Sequence, residues 1–255
     1  MKRVRCYVDG LNFYHGVTAA CNDKWINLES LFTEILSQHL GEEVEVETIL
    51  FFAYIKVGAP PRRQKHRVKS KDGEQLQRQR QYIEALKANC QRFQTRRGYF
   101  ISESKNTRTQ VFDSNGIRIS KDVTIMTEKQ TDVNLACHMV RDAYDPNQLK
   151  DYDIACLVSN DSDLVQALKF KKHLRQRTIL ITPRTTGGKS TNKLRSQVNG
   201  GDVIPSISSD LLKRNRLPGP PPRGDGWQRA VKSSPLPPSK PTLDGPPYAA
   251  HASAR

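Results

Sequence analysis

The chain has 255 residues and a formal net charge of +15, from 41 Lys and Arg against 26 Asp and Glu, enough length for one substantial α/β domain and a tail. No run of about 18 apolar residues occurs, which excludes a membrane-spanning helix, and the opening MKRVRCYVDGLNFY lacks the apolar core and cleavage site of a secretory signal. The cysteines (Cys6, Cys21, Cys90, Cys137 and Cys156) are widely spaced, odd in number and without a CxxC pair; they read as reduced thiols of a cytoplasmic protein, not as a zinc knuckle or disulfide framework.

RVRCYV (3–8) is a short β-rich run closed by the turn signal Asp9-Gly10. Between Asn27 and Leu40, the residues Leu28, Leu31, Phe32, Ile35 and Leu36 recur at helical spacing, and Gly41 ends the pattern. VEVETILFFAY (44–54) reads as a buried strand. A proline-containing basic loop follows, then a charged helical stretch at about 74–93. GYFISES (98–104) and RTQVFD (108–113) are strand candidates with a turn around 114–116. Residues 129–143 predict an amphipathic helix with Val133, Ala136, Met139, Val140 and Ala143 as its apolar stripe. DIACLVS (153–159) predicts a strand, 162–172 a helix, RTILIT (177–182) a strand and 191–199 a helix. DVIP (202–205) reads as a last short strand, followed by a helix over 207–215. Strands separated by helices imply right-handed crossovers and a doubly wound, mainly parallel sheet with helices on both faces.

Texture and charge divide the chain. Ten of the fifteen prolines fall in 217–255, a segment with too little apolar surface to offset its ordering entropy. The expectation is an α/β domain over 1–216 and a disordered Pro-rich tail. Residues 56–108 hold 15 basic and 4 acidic residues, whereas 1–55 hold 4 basic and 8 acidic. Such a basic insertion fits a polyanion partner held through phosphate contacts; a solvated surface insertion is the plain alternative.

Ligands of open α/β sheets bind beyond the carboxyl ends of the strands. Asp9 follows the first strand, Asp161 and Asp163 follow DIACLVS, and Asp132 opens the helix that descends to that strand. All four acids are therefore expected on one rim. Gathered carboxylates repel by roughly 4 kcal/mol per pair at about 4 Å and an effective dielectric near 20, so a cation is expected among them. Oxygen-only ligands suit Mg²⁺ or Mn²⁺. Each acid also has an ordinary role: Asp9 as a turn residue, Asp132 and Asp161 as helix caps.

VDGLNFY, KQTDVNLACHMV and CLVSNDSDLVQALKF, in that order, resemble the NYN domain, a branch of the PIN-like nuclease superfamily. The resemblance spans roughly 3–204 and is weakest over 56–127. It implies a PIN-like fold, a metal-dependent ribonuclease activity, and Asp9, Asp132, Asp161 and Asp163 as metal-binding acids. Asn12 would orient a ligand or water. Ser159 and Asn160 would shape their loop and donate to a phosphate, and Lys129 would meet the scissile phosphate. Phe13 and Tyr14 are candidates to stack on a base. The basic stretch, through Arg62, Arg63, Lys65, Arg67, Lys69 and Lys71, would hold an RNA backbone, joined by Arg184, Lys189 and Lys193 in TPRTTGGKSTNKL. Gly187-Gly188-Lys189-Ser190 echoes a phosphate loop, but Pro183 stands where its first glycine belongs, so no ATP site is read.

Two other functions remain open at this level. A few similar bacterial chains are known as NADH-dependent hydroxylases (monooxygenases) of pyridine compounds in nicotine-type catabolism, although no GxGxxG fingerprint follows the first strand here. A non-catalytic RNA-binding regulator would use the same rim without hydrolysis. The partner is a nucleic acid, RNA by resemblance, with no membrane association; the sequence does not fix the oligomeric state.

Overall fold

Strand β1 (Lys2–Asp9) is buried from Val4 onward, as a strand covered on both faces must be, and it occupies the middle of the sheet. A computed structural model describes residues 1–18, 25–54, 71–112, 116, 118–185 and 192–217. These lie within one compact unit, Met1–Gly219; the basic loop with Arg62, Arg63, Lys65, Arg67 and Lys69, the residue Lys189, and the Pro-rich segment 218–255 lie outside the described residues. β1 pairs with β2 (Val44–Tyr54) on one side and with β5 (Ile154–Val158) on the other, both in parallel. With β3 (Phe93–Phe112), β4 (Arg118–Lys129), β6 (Thr178–Ile181) and β7 (Val203–Ile204), the order is β4-β3-β2-β1-β5-β6-β7. Among the pairings of these described strands, only β3–β4 is antiparallel. The chain winds outward from β1 through β2 and β3, then returns to build β5, β6 and β7 on the other side. The expected doubly wound α/β fold is therefore present, and its switch point lies between β1 and β5.

Helix α1 (Gly10–Phe13) leads directly from β1 into a π turn over Tyr14–Thr18. Helix α2 (Leu28–Leu40) follows its predicted stripe: Leu28, Leu31, Phe32, Ile35 and Leu36 are buried. The Asn27 side chain caps it, accepting from the Glu29 and Ser30 amides at 3.0 and 3.1 Å, and Gly41 ends it at φ 68°, a left-handed turn that favours glycine. On the opposite face, Tyr7, Leu50, Phe52, Leu157 and Leu180 join Leu135 and Met139 of α4 (Thr131–Tyr144) and Ala167 and Leu168 of α6 (Val165–His173) in one core. Past α5 (Pro146–Leu149) and α7 (Asn192–Arg195), α8 (Ser209–Arg214) closes the described chain. There the amide of Leu217 donates to the Trp25 carbonyl at 2.8 Å, as does that of Asn27 to Asn215.

Four expectations change. The charged helix is α3 (Lys71–Asn89), ending before 93, because Cys90 and Phe93 are buried and the chain turns between them into β3. The two strand candidates are one long strand: its first part pairs with β2, its second with β4, which was not anticipated. The helix expected from 129 begins at Thr131, because Lys129 still pairs with Tyr99 and Gln130 turns the chain at φ 75°. The 191–199 helix is shorter, four residues of α7.

Below the rim, β1 departs from an apolar strand. Arg5, 4% exposed, donates from Nη1 to Asp142 Oδ2 at 3.2 Å and Gln148 Oε1 at 2.7 Å, and from Nε to Glu47 Oε2 at 2.9 Å. Tyr7 Oη donates to the same Asp142 oxygen at 2.9 Å, and Arg141 forks onto Oδ1 at 2.9 and 2.6 Å. Burial, then the Asp142 carboxylate, holds the Tyr7 phenol well above its ordinary value, so it stays a donor. Nearby, Lys171 is fully buried; burial lowers it to about 8, and its Nζ donates to Gln176 Oε1 at 2.8 Å. This network ties α4 to β1, the two elements that carry Asp132 and Asp9. Removing one member of a buried charge network strands the rest, at about 3–5 kcal/mol. Asp142→Ala is thus expected to lose about that much stability in urea unfolding, while Glu84→Ala, which breaks an exposed pair with Lys87, leaves the midpoint nearly unchanged.

Candidate functional site

The carboxyl ends of β1 and β5, flanking the switch point, carry the first and third acidic motifs. Asp9 ends β1 and is 1% exposed. Its Oδ1 accepts from the Leu11 and Asn12 amides at 3.1 and 3.0 Å, capping α1. Its Oδ2 accepts from the Asn12 side-chain amide and from Ser159 Oγ, the latter at 2.9 Å. This turn requires a glycine after Asp9: a Cβ at Gly10 would stand 2.7 Å from the Phe52 carbonyl oxygen and 2.8 Å from the Phe51 ring.

Ser159, fully buried, follows β5. While its hydroxyl donates to Asp9, its oxygen accepts the Asp161 amide at 3.0 Å. The hydroxyl is committed to joining the two acidic loops, where the sequence suggested a phosphate contact. Asp161 then caps the short 3-10 turn Ser162–Leu164, its Oδ1 accepting the Asp163 amide at 2.9 Å. Asp132 lies in the first turn of α4. The cap position there is Gln130, so the cap role considered for Asp132 does not apply.

One carboxylate oxygen from each of Asp9, Asp132 and Asp161 lies within 4.8 Å of the others. Asp132 and Asp161 are half-buried and Asp9 is buried. At that separation and an effective dielectric near 20, each pair repels by about 3 kcal/mol before screening. The gathered set is all hard oxygen, without nitrogen or sulfur, and suits Mg²⁺ or Mn²⁺ rather than zinc or copper. Asp163, exposed, lies outside this group of three, and its backbone amide donates to Asp161 Oδ1.

The other candidates divide. Asn12 orients Asp9, and Asn160 is half-buried in the loop between Ser159 and Asp161. Lys129 closes β4 two residues before α4. Arg184 is half-buried just beyond β6, on the same rim, and Lys193 is exposed on α7. Lys71 opens α3. Phe13 is 1% exposed and packs edge-on against Phe32 at 6.3 Å, so it is core and not a stacking platform; Tyr14 is half-buried against His15 at 5.2 Å. Sequence reasoning missed Gly16, where a Cβ would overlap the Pro183 carbonyl oxygen. That close approach sets the π turn against the segment after β6, and nothing in the local sequence signals it.

The NYN domain family profile matches residues 3–200, and the chain belongs to the NYN domain family. NYN domains are PIN-like, generally nuclease-like hydrolases that bind nucleic acid. The chain is also similar to 6-hydroxy-3-succinoylpyridine 3-monooxygenase HspA of Pseudomonas putida, at 25% identity over 230 residues covering 79% of this chain and 68% of that one. Among solved structures, a protein of unknown function from Vibrio parahaemolyticus is similar with a TM-score of 0.45 and 16% identity, covering 83% of this chain and 96% of that one. Among the described residues, no helix is long and apolar enough to cross a membrane.

Ser159→Ala removes a donor from buried Asp9 and the acceptor of the Asp161 amide. Leaving such groups unsatisfied costs about 1–3 kcal/mol, and chemical denaturation of the two proteins is expected to differ by that amount.

Proposed function

We propose that this protein is a metal-dependent ribonuclease that hydrolyses RNA phosphodiester bonds at the Asp9–Asp132–Asp161 site. The observation that supports this reading is the meeting of three carboxylates from three separate stretches of sequence at the switch point of the sheet. Held there, Mg²⁺ or Mn²⁺ supplies Lewis-acid polarisation of a phosphoryl oxygen and lowers the pKa of the attacking water. The chain's own part is positioning. Asn12 and Ser159 hold Asp9 in one rotamer, and the Asp163 amide does the same for Asp161. Lys129, Asn160 and Arg184, at or just past the ends of β4, β5 and β6, are the residues of this reading that would meet a phosphate. The antiparallel arm of β3 and β4 rises from the start of α4, since Tyr99 pairs with Lys129, and it continues the basic segment that would hold the RNA backbone.

The similarity to a pyridine-compound monooxygenase supports a second reading, an NADH-dependent hydroxylase. The first strand leads into Asp9-Gly10-Leu11-Asn12 and not into a GxGxxG dinucleotide fingerprint, which favours the first reading. An assay with the full chain separates them. Wild type is expected to cleave RNA with Mg²⁺ or Mn²⁺ and to stop in EDTA. Asp161→Asn is expected to lose at least about a hundredfold in rate while keeping its fold. Substrate-dependent NADH oxidation without cleavage would favour the hydroxylase. Salt-sensitive RNA binding without cleavage, unchanged in Asp161→Asn, would favour a regulator.

A further inference from the structure

At the opposite, amino-terminal rim of the sheet, where α6 ends and β6 begins, lies a cavity of about 320 Å³. Its lining includes Lys172, Arg175, Arg177, Thr178, Gln197 and Asn199, and no acidic residue lines it. Arg177 is partly neutralised from behind: its Nε and Nη2 donate to Asp202 Oδ1 at 3.0 and 2.7 Å. That pairing fixes the guanidinium's direction and leaves Nη1 outside it. Lys172 Nζ reaches across to the Ser196 carbonyl at 3.3 Å, so the ammonium is held between α6 and the turn after α7. The Thr178 hydroxyl, on a buried residue of the lining, has no hydrogen-bond partner among the described residues.

Arg175 is the informative residue. It follows the cap of α6 with φ 55°. Its amide donates to the Lys172 carbonyl and that of Gln176 to the Lys171 carbonyl, both at 3.0 Å. This helix-ending motif places a left-handed residue where glycine is the easy choice. Arginine occupies the position instead, and its exposed side chain joins the cavity lining. Lysine and histidine in the last turn of a helix complement its dipole. Arg177 is placed by its pairing with Asp202, and Arg175, one residue past the cap, lies beyond the last turn of the helix.

We propose that this cavity is an anion site for a phosphate-bearing ligand of nucleotide size, separate from the acidic rim. Three cationic side chains line a cavity whose volume matches a phosphate with a modest organic group attached; the amides of Gln176, Gln197 and Asn199 also line it and already donate to Ala143, Ser196 and Asp202. The test is calorimetric titration of the full chain in EDTA with AMP, inorganic phosphate and adenosine. AMP is expected to bind saturably, more tightly than inorganic phosphate, and at least about tenfold more tightly than adenosine. Arg175→Gly should weaken AMP by about tenfold or more without lowering the melting temperature, because glycine suits that backbone. Lys172→Gln should weaken it several-fold, and decides the matter should Arg175→Gly lose stability. Asp161→Asn should bind AMP as wild type does. Absence of saturable AMP binding at millimolar concentration, unchanged affinity in Lys172→Gln and a folded Arg175→Gly, or loss of binding in Asp161→Asn would overturn the proposal.

Discussion

Like charges gathered at one point set the demands that the rest of this fold meets. Three carboxylate oxygens within 4.8 Å of one another repel, and an unsupported loop would let them separate. Here each acid is fixed by something stiffer. Asp9 ends a strand buried on both faces and accepts from four donors. Asp161 is held by a cap and by Ser159, and Asp132 rides the first turn of a helix packed through Leu135 and Met139. The doubly wound topology supplies the rest, because the sheet reverses its winding between β1 and β5 and opens a crevice there.

The buried charges beneath the site belong to the same design. Arg5 and Tyr7 on β1 grip Asp142 on α4, while Asp9 and Asp132 stand further toward the rim on those two elements. A shift of α4 along its axis would break the Asp142 contacts and move Asp132 together. Replacing such a network by apolar residues often preserves stability; what the charges add is a directional fix on the helix, which dispersion contacts supply less sharply.

Much of this was legible in the residues. The stripe Leu28 to Leu36 with Asn27 and Gly41 at its ends marked α2 within a residue, because periodicity and capping chemistry agree there. The acid motifs were placed on one rim because parallel strands send their carboxyl ends the same way. What the sequence concealed has physical causes. Arg5 carries no local signal of its role, since its partners Asp142 and Gln148 lie more than a hundred residues away. Phe93 and the arm through β4 were missed because a strand that changes partners midway has no single alternation to reveal it. Asp163 has the motif spacing, and what the sequence does not show is that its backbone amide also serves, donating to Asp161 Oδ1 within the 3-10 turn.

The central claim is that Asp9, Asp132 and Asp161 together hold one divalent cation. Titration of Mn²⁺ into the full chain, followed by electron paramagnetic resonance, measures this without reference to any substrate. The expected result is one saturable site in the wild type, weakened by about tenfold or more in each of Asp9→Asn, Asp132→Asn and Asp161→Asn, and less affected in Asp163→Asn. Failure of the wild type to bind Mn²⁺ saturably, or equal binding by the three variants, would contradict it.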